Sequence, residues 1–152
     1  ARAHVGRGRT HRTLGDHTAA LTDFHRATEL EPEDGDRCHD VAVTYRMMGQ
    51  EQEARRWWKQ ALGKLVTAAE AAGEDEAHWR CGVVLVYCAL SEWQKATAEL
   101  RTLETVTGSP GALRQCLQEL DALPLEPGSD EQRLEEIREN LRTVVRAHFP
   151  TA

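Results

Sequence analysis

The stretch GDHTAALTDFHRA at residues 15–27 is matched in physical type by GQEQEARRWWKQA at residues 49–61, and this pairing decides the fold. The offset is 34 residues: Gly15, Ala20, Phe24 and Ala27 fall on Gly49, Ala54, Trp58 and Ala61. A glycine can take the positive φ that ends one helix and starts a turn. The alanines and the aromatic residue then share one face of the following helix. There the small residues let two antiparallel helices approach and the ring fills the gap between them. Self-similarity at such a period marks stacked helical repeats.

The pattern continues outward. Val41, Ala42 and Tyr45 form the inner face of a helix before Gly49. A third copy starts near Ala77, where Val84, Tyr87, Ser91, Ala96 and Leu100 repeat Ala42, Tyr45, Gly49, Ala54 and Trp58 at offset 42, with Ser at the turn. The eight extra residues lie between Ala61 and His78. Helical composition runs on from Lys64 until Gly73 stops it, so that helix is expected to be about 12 Å longer than its counterpart. Beyond Thr105 the copies fade. Ser109 and Pro110 start a helix whose apolar face is Leu113, Cys116, Leu117, Leu120 and Leu123. After the Pro- and Gly-rich turn at residues 124–128, Ser129 with Gln132 reads as a capping box. It opens a helix with Leu134, Ile137, Leu141, Val144 and Val145 on one side.

With these turn and core residues, and with Pro32 closing the first copy, residues 1–105 resemble the tetratricopeptide repeat family. The resemblance implies an all-α fold, a right-handed superhelix of stacked antiparallel helix pairs. The whole chain, 1–152, would be a single repeat domain. Its units would span about 1–34, 35–73 and 77–105, closed by a degenerate hairpin at 109–148. The first helix departs from the family pattern: His4, Arg7 and His11 stand where apolar or aromatic residues are usual.

Composition limits the function classes. The net charge of −6 gives no global attraction to nucleic acid or anionic membrane, and neither is expected as a partner. No apolar run approaches the roughly 20 residues of a membrane span. Cys38, Cys81, Cys88 and Cys116 are widely spaced with no secretory signal before them, which points to reduced, buried thiols and a cytoplasmic location. A start at Ala1 with helical sequence at once suggests a piece of a longer chain.

In the family resembled here, the first helices of successive units line a concave groove through their second, fifth, ninth and twelfth residues. Unit one supplies Arg2, Val5, Arg9 and Arg12; unit two supplies Asp36, His39, Val43 and Arg46; unit three supplies His78, Cys81, Leu85 and Cys88. Residues 1–14 hold four Arg and two His with no acid. Because a planar guanidinium can hold an oxyanion with two bonds, the expected ligand is a protein or acidic peptide. The expected contacts are Arg2, Val5, Arg9, Arg12, His39, Val43 and Arg46. A solvated or internally paired basic helix face is the plain alternative. Chaperone-binding members grip a terminal carboxylate with Lys and Asn, and those Asn are missing, so chaperone tails are not expected.

No catalytic residue, cofactor or metal is expected. Gly6 and Gly8 make no dinucleotide fingerprint, since no strand precedes them. His78, Cys81 and Cys88 lack a fourth metal ligand, and the acids of residues 131–139 read as a solvated helix face. Of the adjacent Trp57 and Trp58, Trp58 takes the core by register. Trp57 then meets the neighbouring unit or anchors self-association, and with it stands the alternative of a structural element forming a homodimer. A third reading is a regulatory appendage of a larger signalling protein.

Overall fold

The computed structural model describes residues 1–71, 73–106 and 110–149, and among these every regular element is helical. In order they are α1 (Arg2–Thr13), α2 (His17–Leu30), α3 (Gly35–Met47), α4 (Glu51–Ala71), α5 (Glu76–Ala89), α6 (Trp93–Glu104), α7 (Pro110–Ala122) and α8 (Glu131–His148). A single 3₁₀ turn, Gly73–Asp75, precedes α5. The chain divides into two compact units, Ala1–Lys64 and Leu65–Ala152.

The turns follow from local chemistry. Gly15, Gly49 and Ser91 have φ of 82°, 76° and 58°. Each sits in the same pair of bonds. The Gly15, Gly49 and Ser91 amides donate to Arg12, Arg46 and Cys88 carbonyls, and the next amides, of Asp16, Gln50 and Glu92, donate to His11, Tyr45 and Tyr87 at 2.9, 2.9 and 2.8 Å. This is a Schellman closure, which satisfies helix-end carbonyls through one left-handed residue. Ser91 takes that conformation without being glycine, and its hydroxyl is held by Glu126 at 3.2 Å and Ser129 at 3.0 Å.

Helix starts are set by carboxylates. Asp16 accepts from the Ala19 amide and Asp34 from the Asp36 amide. The cap of α8 is Asp130 rather than the expected Ser129: its carboxylate accepts from the amides of both Gln132 and Arg133, while the Ser129 hydroxyl is engaged with Ser91. Ser109, expected to open α7, lies outside the described residues. The overlong helix is borne out, since α4 runs for 21 residues.

In the first unit, α2 packs on α1 and on α3. Ala20, Phe24 and Val41 are buried together, with Leu21, Tyr45 and Trp57 packed against them. Trp58 is fully buried between Ala54 and Ala61 on its own helix face. Burying such a ring contributes about 2–3 kcal/mol. Gly8 marks the closest approach of α1 to α2, for a Cβ there would lie 2.7 Å from the Phe24 ring. Trp57 meets the preceding helix pair, its ring centroid 5.3 Å from that of His25.

In the second unit α5 is buried almost all round, from Cys81 to Val86 and from Cys88 to Leu90. The cause is that α6 and α7 both pack on it. The α7–α8 pair stacks through Leu113, Cys116, Leu120, Leu134, Ile137 and Leu141, with α8 also against α6. The opposite face of α8 is a ladder of Glu135, Glu139, Arg142 and Arg146 ion pairs, which is the composition of a helix side left in water.

Candidate partner-binding face

The helices that carry the expected contact residues of the first unit are α1 and α3, and their side chains meet on a buried carboxylate. Asp40, with its side chain 3% exposed, faces Arg9 Nη2 at 3.2 Å and Arg12 Nη2 at 3.5 Å. Arg12 also donates to the Asp40 carbonyl at 3.2 Å and lies near the Thr44 hydroxyl, which itself donates to that carbonyl. Burial pulls the Arg12 guanidinium below its ordinary range, and Asp40 opposes that pull. Two guanidinium groups on one carboxylate leave a positive excess, and Arg9 carries it outward with its side chain 51% exposed.

Arg12 and Arg46 are 34 residues apart and are placed alike. Each guanidinium lies over the aromatic ring of its own helix pair, Arg12 over Phe24 at 5.1 Å and Arg46 over Trp58 at 4.2 Å. Such stacking contributes about 1–2 kcal/mol when desolvated. Arg46 Nε further donates to Glu51 at 3.0 Å, and its side chain is only 3% exposed. The Trp58 indole N–H donates to His39 Nδ1 at 3.0 Å. That bond requires an unprotonated Nδ1, so neutral His39 carries its proton on Nε2 and offers it as a donor.

The expected contact residues thus fall into three depths. Arg2 and Arg9 are exposed, His39 and Arg12 are half-buried, and Val5, Val43 and Arg46 are buried. The third copy's slots do not form an open face: Cys81, Leu85 and Cys88 are buried, because α7 covers α5. His78 is half-buried with its ring edge-on to Trp79 at 4.7 Å.

The groove spacing does not mark the two residues that organise α1, the buried carboxylates Asp23 and Asp40. Asp23 on α2 accepts from Arg7 Nε at 2.9 and 3.0 Å and pairs with His4 at 3.1 Å. The hydrogen bond from Arg7, against the cost of burial and aided by His4, holds the Asp23 carboxyl down at about 2. The signal was in the sequence: an acid and three bases stand at positions which, one period later, hold apolar or aromatic residues.

The four thiols are free and buried. Burial pushes Cys88 up to about 12 and raises Cys38 despite Lys64 Nζ at 3.6 Å. Both shifts run opposite to the depressed pKa of a reactive thiolate.

The family model described as tetratricopeptide repeat matches residues 36–64, from the first turn of α3 into α4. The chain carries a tetratricopeptide repeat. The repeat spans the Arg46–Trp58 stack and the Gly49 turn, and α1–α2 repeats its turn, aromatic and alanine positions one period earlier. No curated protein matches the chain. Tetratricopeptide repeats mediate binding between proteins, through the surfaces that stacked helix pairs present. Among the described residues no helix is long and apolar enough to cross a membrane.

Proposed function

We propose that this chain binds a partner protein through the α1–α3 face of its first unit, and that the segment bound is acidic. The observation that carries the reading is the Arg9–Arg12–Asp40 cluster, in which a buried carboxylate orients two guanidinium groups and leaves one positive charge in excess at the surface. A partner carboxylate meeting Arg9, with Arg2 nearer the start of α1, would gain charge-assisted bonds worth about 1.5–3 kcal/mol each. His39 adds an Nε2–H donor. Val5, Val43, Arg12 and Arg46 act from beneath, as the packed floor that fixes the donors in place. Pre-positioned side chains lose little entropy on binding, which favours affinity over an equal number of free surface charges.

The test uses the intact chain as bait in lysate of its source organism, with each captured protein identified by mass spectrometry and its Kd measured by calorimetry. Arg9→Gln, which removes the outward charge without setting a second acid beside the buried Asp40, is expected to weaken the partner at least tenfold with little change in thermal midpoint. An unchanged Kd would remove the α1–α3 face from the contact. Arg46→Glu is unsuitable for this purpose, because it would strip Trp58 of its stacked guanidinium and place two acids side by side at Glu51.

A further inference from the structure

On α5, Cys81 and Cys88 stand two turns apart on one face, and α7 brings a third cysteine, Cys116, against the first of them. All three are buried. The Cys116 thiol donates to the Cys81 carbonyl at 3.9 Å and is hydrogen-bonded to the Cys81 side chain as well. Two thiols in contact on neighbouring helices are the precursors of a disulfide.

The other pairings are poorer. Two turns of α-helix set Cys81 and Cys88 about 10 Å apart along the axis, beyond the roughly 7 Å between Cα atoms that a disulfide spans. Cys88 influences Cys116 only through its charge, and more weakly than Cys81 does. Cys38 belongs to the other compact unit, where it meets Lys64. The hydrogen bond to Cys81, together with burial, holds the Cys116 proton tightly, so attack on an oxidant comes from an opened state of the chain. Helix packing then decides which pair is kept.

We propose that Cys81 and Cys116 form an internal disulfide that staples α7 to α5 when the chain meets a low-molecular-weight disulfide. One cysteine thiolate attacks the small disulfide, forms a mixed disulfide and releases one small thiol. The second cysteine gives up its proton and attacks the protein sulfur of that mixed disulfide, releasing the other small thiol. The two protein thiols are thereby oxidised, the small disulfide is reduced to two thiols, and both protons end on these. The bond joins residues 35 apart in sequence, so it restricts the unfolded chain while fixing α7 over α5 in the folded one.

The test refolds the full chain from urea in a buffer of reduced and oxidised glutathione and traps the remaining thiols with an alkylating reagent. The bond is mapped by mass after cleavage at Arg80 and Tyr87, which parts Cys81 from Cys88. The refolded chain is expected to carry Cys81–Cys116 as its main bond. The same buffer in urea should favour Cys81–Cys88, the pair that closes the shortest loop. Cys88→Ala should keep the native bond. The oxidised chain should hold its helices to higher urea than the reduced one, and Cys116→Ala should show no such difference.

A refolded chain bonded mainly through Cys88, glutathione retained on Cys81 or Cys116, or an oxidised chain that unfolds at lower urea would overturn the inference. So would four alkylated thiols at a glutathione ratio that oxidises the unfolded chain.

Discussion

Asp23 is a carboxylate whose surroundings make it a strong acid, and stability at low pH depends on it. Its carboxyl lies near 2 in the folded chain against an ordinary 3.8, chiefly through Arg7. A group whose folded pKa is depressed stabilises the fold above the unfolded value and loses that contribution as pH falls through the folded one. The first unit is accordingly expected to lose stability between about pH 4 and pH 2 through this group. Urea midpoints read by circular dichroism across that range would show it. Asp23→Asn should have the lower midpoint at pH 7 and a flatter profile below pH 4; parallel profiles for the two proteins would assign the acid lability elsewhere. At the same scale, residue type and spacing reveal which face Arg46 occupies but not how deep it lies. Depth is decided by Trp58, twelve residues on, and by Glu51, across the turn. The cap of α8 was missed for a related reason. Ser129 and Asp130 are both good caps, and the choice between them rests on Ser91, far away in sequence.

Among the elements, α1 contains two glycines that look alike in sequence and differ in their surroundings. A Cβ on Gly6 would meet nothing within 4 Å, whereas one on Gly8 would press on the Phe24 ring. Gly6→Ala should stabilise the chain by about 0.5–1 kcal/mol, the ordinary gain from removing glycine from a helix interior. Gly8→Ala should destabilise it by about 1–3 kcal/mol through overpacking. Opposite shifts of the thermal midpoint would confirm the α1–α2 packing, and a gain in both would show that α1 lies farther from Phe24. The elements were also the most legible part of the sequence. Gly15, Gly49 and the aromatic residues nine positions later state a turn and a crossing in purely local terms. Even Ser91 kept the turn, because the closing hydrogen bonds are made by the backbone.

For the molecule as a whole, a net charge of −6 coexists with a first helix that holds four arginines and no acid. Long-range attraction between Arg9, Arg2 and an acidic partner is screened within about 8 Å at physiological ionic strength. Affinity for the partner is therefore expected to fall as salt rises from 50 to about 500 mM, with a shallower slope for Arg9→Gln. A slope unchanged by salt would point to an apolar contact instead. The resemblance in sequence drew attention to the groove slots of three helix pairs, and those slots are unequal. The slots in α5 that hold Cys81, Leu85 and Cys88 are covered by α7, an element outside the repeat pattern. Periodicity describes what each copy shares, so it is silent where a later helix closes over one of them.

The buried thiols have a use that no binding experiment supplies. Each is sealed from solvent and, at Cys38, Cys88 and Cys116, held above its ordinary pKa, so an alkylating reagent must wait for the surrounding helices to open. Cys38 belongs to the first unit, and Cys81, Cys88 and Cys116 to the second. The native chain is in effect fitted with its own clocks, one set for each unit. Timed alkylation read by mass would tell which half of the chain breathes first.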